Sequence, residues 1–126
     1  MNRDADTPDQ DRPWPTELRL SDKGRLLLVS FNDGQTFELR AEYLRVESPS
    51  AEVQGHGAGQ KKIVPQKQDV SITNIEPVGN YAARLLFNDG HDSGLFTWDY
   101  LHELGREYEG KWADYLAKLT EAGLAR

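Results

Sequence analysis

The chain has 126 residues, 15 Lys and Arg against 21 Asp and Glu, a formal charge of −6 and 37% hydrophobic residues, enough for one small core. It contains 0 cysteines, which excludes a disulfide framework, an iron–sulfur cradle, a thiolate zinc site and a cysteine nucleophile built from its own side chains. No apolar run reaches the ~18 residues of a membrane span, the first residues lack the basic and apolar regions of a signal peptide, and negative charge opposes phosphate binding, so a cytoplasmic protein with no membrane and no nucleic-acid partner is expected.

Residues 1–13 carry several Asp and no apolar periodicity, which predicts a disordered tail ahead of a single domain over 14–126, with Trp14 pinning the junction. Glu17 to Leu20 is a candidate strand. Leu26 to Phe31 is a second, running into Asn32, Asp33 and Gly34, and Asp-Gly supplies the positive φ of a tight hairpin. Gln35 to Leu39 alternates as a returning strand, and a short helix is expected around Ala41 to Val46. Residues 47–69 are poor in apolar side chains, with Gly55, Gly57 and Gly59 alternating, and read as one long loop. Its Lys61 and Lys62, with Lys67, form the densest basic stretch, read as a solvated loop.

Val70 to Ile75 is the next strand, with Glu76 to Asn80 as a turn. Tyr81 to Phe87 is another strand, Asn88, Asp89 and Gly90 another hairpin turn, and His91 to Phe96 should pair back. Thr97 caps a helix with Asp99 in its first turn, ending near Gly105. A last helix carries Tyr108, Trp112, Tyr115, Leu116 and Leu119 as one apolar stripe, with Gly123 as its stop. Phe-Asn-Asp-Gly occurs at 31–34 and again at 87–90, and a Tyr-Leu pair follows each at 43–44 and 100–101. The expected fold is therefore α+β: a small antiparallel β core of hairpins, with a pseudo-symmetric repeat, and C-terminal helices.

The histidines are His56, His91 and His102. A metalloprotease helix would need a second His four residues after His102, where Arg106 stands, so His102 reads as a surface residue. Ser93 in Asp-Ser-Gly brings a serine nucleophile to mind, but Gly90 to Gly94 departs from the G-x-S-x-G elbow, and base and oxyanion hole would have to converge from elsewhere. His91 and Asp92 are adjacent, so in a regular strand they face opposite ways and do not chelate together. Glu52 and His56 are four apart and share a face on a helical turn. A loop folded over the second hairpin would bring Glu52, His56 and His91 together, a donor set suited to zinc, iron or manganese. The glycines at 55–59 match neither the dinucleotide fingerprint nor the P-loop and serve flexibility.

Several stretches carry a family resemblance. Leu44 to Glu52, Gly55-His56-Gly57, Ile75 to Tyr81, Asp89 to Gly94 and Trp98 to Leu101 closely resemble an uncharacterised bacterial family named for the N-terminal domain of γ-butyrobetaine hydroxylase. The likeness covers residues 16–122. It implies a non-catalytic domain that, in the carnitine-pathway hydroxylases, is attached to an iron and 2-oxoglutarate oxygenase domain, binds a structural zinc through three cysteines and a histidine, and helps form the dimer. His91 falls on the zinc histidine. The cysteine positions fall on Ser48, Ser50 and Val53, none of which supplies a thiolate. Related domains are attached to P-loop ATPases that carry iron–sulfur clusters, which implies an accessory role.

Residues and resemblance meet at one corner, where 47–57 and 90–94 come together with Glu47, Ser48, Ser50, Glu52, His56 and His91. The expected function is that of a stand-alone, non-catalytic binding or accessory module acting through a protein partner, an oxygenase or a cluster-assembly factor. Hydrogen bonds, or a weakly held zinc or iron, would replace the thiolate site. The alternative is a small metal-dependent enzyme with His91, His56 and Glu52 as ligands and an open coordination position. The aromatic residues Trp98, Tyr100, Trp112 and Tyr115 are expected in the core.

Overall fold

The computed structural model describes residues 12–55 and 59–126. The expected tail over 1–13 therefore lies mostly outside the described residues, and so does His56.

The first strand, β1 (Pro15–Ser21), leads through a short 3-10 turn into β2 (Leu26–Phe31). β3 (Thr36–Arg40) returns from the Asp33-Gly34 turn and runs directly into α1 (Ala41–Val46). The three strands form one antiparallel sheet in chain order. The next helix, α2, is a single turn (Ala51–Gln54). Then β4 (Ile72–Val78), β5 (Ala82–Phe87) and β6 (Leu95–Thr97) make a second antiparallel sheet, again in chain order. Two helices close the chain, α3 (Trp98–Arg106) and α4 (Tyr108–Ala122). The α+β class is as expected, and the repeated motif marks a repeated unit of three strands and a helix.

Period-two alternation sets the inner faces. Leu27, Val29 and Phe31 of β2 are buried, as are Ala83, Leu85 and Phe87 of β5, and each set stands on one side of its strand. With Leu39, Leu44, Phe96, Leu101 and Leu104 they form one core cluster drawing on both sheets and on α1 and α3. Tyr43 sits fully buried at its edge and meets Tyr108 and Trp112 edge-on, at centroid distances of 4.9 and 6.2 Å. The predicted aromatic stripe of α4 is therefore packed inward. Arg126 lies over the Trp112 ring at 5.4 Å and pairs with the buried Glu42 at 2.7 Å.

Several expectations are corrected. The 47–69 segment is not one loop: Ser50 accepts a hydrogen bond from the Glu52 N–H at 3.1 Å and caps α2, so local hydrogen bonding makes a helical turn where apolar periodicity is absent. Residues 76–78 are strand, not turn. Pro77 is tolerated there because β4 is a sheet edge and needs no N–H on its outer side. The return strand after Gly90 is confined to Leu95–Thr97, since residues 91–94 turn toward α2. Lys61 and Lys67 are not simply solvated: they pair with Glu47 and Asp89, both at 2.6 Å. His102 is not a surface residue. It is 8% exposed, its ring lying edge-on to Phe31 and Phe37 and bonded to Asp33 at 2.8 Å.

Candidate functional site

The second hairpin turn places His91. Its backbone N–H donates to Asp89 Oδ1 at 3.0 Å, and its carbonyl accepts from the Phe87 N–H at 3.0 Å. Two bonds to the turn fix the Cα and send the ring toward the end of α1 and the start of α2. Its side chain is only 2% exposed. Nδ1 lies 2.9 Å from Glu52 Oε1, and Nε2 lies 2.9 Å from Ser48 Oγ. The predicted convergence of 47–57 on His91 is thus observed for Glu52 and Ser48.

The partners assign the ring's proton. A carboxylate only accepts, so Nδ1 carries the hydrogen toward Glu52 and Nε2 accepts from the Ser48 hydroxyl. Ser48 Oγ accepts in turn from the Ser50 N–H at 3.2 Å. Burial lowers the pKa of His91, and the positive charge of Arg45 lowers it further, against the opposing pull of Glu52 and Asp89. The lowered pKa favours the neutral imidazole, the form in which Nε2 is left to accept from Ser48.

A second layer holds the corner shut. Ser50 Oγ and Ser93 Oγ are 2.7 Å apart, and Gln54 Nε2 donates to the Ser48 carbonyl at 2.8 Å. Asp89 accepts from Arg45 at 2.8 Å and pairs with Lys67 at 2.6 Å. Burial pushes this carboxyl up, but the bonds from Lys67, the His91 N–H and Arg45 outweigh it and hold the pKa at about 2. Glu47 faces away, paired with Lys61, while its carbonyl accepts from the Tyr100 hydroxyl at 2.5 Å. Arg45, Asp89 and Lys67 went unremarked as site residues in the sequence; the Asp-Gly turn alone marked Asp89. Ser93, considered there as a nucleophile, instead ties 91–94 to α2.

Serine, histidine and glutamate in this order have the connectivity of nucleophile, base and orienting acid. Ser48 is 0% exposed, however. Gly94 packs against its hydroxyl, so an acyl substrate has no approach to Oγ. The donor chemistry also fails to fit the structural zinc that the resemblance implies. Ser48 and Ser50 offer neutral hydroxyls already engaged, the first with the Ser50 N–H and His91 and the second with the Glu52 N–H and Ser93, and Val53 offers no ligand atom. Among the described residues no group of three or more His, Cys, Asp or Glu is placed to hold a metal ion. Of the set Glu52, His56 and His91, the first and last touch, and His56 lies outside the described residues.

Fold and corner together define a small α+β domain whose His91 corner is closed by hydrogen bonds. The sequence model described as "Gamma-butyrobetaine hydroxylase-like, N-terminal" matches residues 18–102, and the chain belongs to that family. One protein solved by NMR is 46% identical, with a TM-score of 0.80 over 91% of this chain and 90% of that one. Another NMR structure is 48% identical, with a TM-score of 0.79 over 95% and 89%. A crystal structure of a protein with unknown function, of the DUF971 family, from Acidithiobacillus ferrooxidans ATCC 23270, is 42% identical. Its TM-score is 0.61, over 72% of this chain and 91% of that one. No curated protein matches the chain.

Proposed function

We propose that this domain is a non-catalytic accessory module that acts in the cytoplasm through a protein partner, in the setting of an oxygenase or of iron–sulfur assembly. Its metal corner is degenerate, and hydrogen bonds hold together what a thiolate site would hold. The observation that carries this reading is the state of His91: both ring nitrogens are engaged within the chain, and the serine on Nε2 is sealed from solvent. A ring so committed is structural, because binding a metal would require breaking one of two buried or half-buried hydrogen bonds. Membership of a family of N-terminal, hydroxylase-like domains supports the accessory role. The formal charge of −6 favours a protein over a nucleic acid as the partner.

Affinity purification of the intact protein from native cells, with metals measured on the same sample, tests this. A stoichiometric protein partner and far less than one zinc or iron per chain are expected. One tightly held metal per chain, lost in His91→Ala, with no protein partner, would overturn the reading in favour of the metal-dependent enzyme built on His91, Glu52 and His56.

A further inference from the structure

The repeated motif extends well beyond the turns. Shifting the first half by 56 residues across the β2 hairpin, and by 57 elsewhere, superposes one hydrogen-bond pattern on another. Within the first half, the Trp14 N–H donates to Asn32 Oδ1 at 2.9 Å and the Asn32 N–H to the Trp14 carbonyl at 2.8 Å. Ser71 and Asn88 do the same at 3.0 and 2.9 Å. Thr16 Oγ1 donates to the Ser30 carbonyl, and Thr73 Oγ1 to that of Leu86. The register of β1 on β2 slips between Pro15 and Glu17, and that of β4 on β5 between Ile72 and Asn74. Tight-turn and strand chemistry recurring by chance would not also place both irregularities at matching positions.

The bonds between the halves are reciprocal as well. The Tyr43 hydroxyl donates to the Leu104 carbonyl at 2.7 Å, and the equivalent Tyr100 hydroxyl donates to the equivalent Glu47 carbonyl at 2.5 Å. Arg45 reaches the second turn's Asp89 at 2.8 Å, while His102, its counterpart, reaches the first turn's Asp33 at 2.8 Å. A close approach recurs with its sides exchanged. A Cβ on Gly105 would lie 2.5 Å from the Phe37 ring, and a Cβ on Gly94 would lie 2.5 Å from Ser48 Oγ. Gly105 corresponds to Ser48, and Phe37 to Gly94, so each contact sets one glycine against one larger side chain.

We infer that the chain is two copies of one β–β–β–α unit clasped across a pseudo-twofold axis, and that the surface between them is a protein–protein interface for which each half is the other's partner. Isologous contacts of this kind, where residue i of one copy meets j of the other and j meets i, are the signature of a twofold pair. The crossover between the halves then supplies proximity and the ion pairs of Lys61 and Lys67, and the recognition resides in the clasp. Either half will therefore accept its complement from a second copy of the chain. The clasp also provides an internal control for the candidate site. The first corner is filled by the rings of Phe37, Phe31 and His102. The second, lacking a ring at Gly94, holds the Ser48–His91–Glu52 chain.

The test uses the whole folded protein. A site-specific protease sequence is inserted between the exposed Gly59 and Gln60, and the folded chain is cut there. Both pieces should elute together at the mass of the intact chain and keep its dispersed amide spectrum. When nicked unlabelled and nicked ¹⁵N-labelled protein are unfolded together and refolded, native mass spectrometry should find light–heavy pairs about as abundant as the like pairs. Tyr43→Phe and Tyr100→Phe should each speed separation of the nicked halves by about five-fold, as loss of one buried or half-buried hydrogen bond predicts, and the exposed Tyr81→Phe should not. Halves that part on cutting, an absence of mixed pairs, or an effect from only one of the two clasp tyrosines would overturn the inference.

Discussion

Gly105 stands in the last turn of α3 with the Phe37 ring against its Cα. An added Cβ would lie 2.5 Å from two ring atoms, far inside van der Waals contact. The ring has little room to retreat, since it is wedged edge-on between Phe31 and His102, with centroids 6.0 and 5.8 Å away. Alanine gains helix propensity over glycine by up to about 1 kcal/mol in a helix interior and by less in a last turn. Overpacking costs about 1–3 kcal/mol. The steric cost wins, and Gly105→Ala should lower stability by about 1–2 kcal/mol, read as a drop in the urea midpoint at unchanged slope. Shortening the ring side in Gly105→Ala/Phe37→Leu should cost less than the two single changes added together, because the pair is in direct contact. An additive double variant would rule out the clash as the cause.

At the scale of elements, α3 carries two of the residues that reach the other half, Tyr100 and His102, and its start is set by one side chain. Thr97 accepts from the Tyr100 N–H at 3.1 Å, satisfying one of the donors that a helix start leaves free. Thr97→Ala should cost about 1 kcal/mol and raise amide exchange at Tyr100 and Leu101 ahead of the rest of the core. Unchanged exchange there would place the start of α3 under the control of packing alone. This cap, both Asp-Gly turns, α1 and the stripe of α4 were legible in the sequence because each is a local signal. α2 was not, since four residues are too few to show a period and its cap Ser50 looks like any loop serine. The strand through Pro77 was hidden because a proline is compatible with a sheet edge as well as with a turn, and the sequence does not say which strand lies at the edge. His102 looked exposed because its partners, Asp33 and Phe37, are some 65 residues away. The site followed the same rule. His91 stood out by type and Glu52 by its spacing from His56, while Ser48 as the acceptor's partner came from the family resemblance alone.

Over the whole molecule, the two turn carboxylates are the groups through which acid should loosen both halves at once. The backbone N–H of Gln35 chiefly lowers the pKa of Asp33, with His102 adding to it. Burial acts the other way on Asp89, and Lys67, the His91 N–H and Arg45 overcome it, holding the pKa at about 2. Both folded values lie below the ordinary carboxyl value of 3.8. The unfolded chain therefore takes up protons first as pH falls, and stability declines. The contribution of the pair is fully present above about pH 5, wanes below 3.8, and is gone once Asp89 titrates near 2. Comparing the intact chain with Asp33→Asn/Asp89→Asn isolates that contribution from every other titrating group. The gap between their denaturant midpoints should be widest at pH 5 to 7 and should close toward pH 2. A gap that holds constant across this range would mean that the carboxylates act through shape and hydrogen bonding alone, with no contribution from their charge.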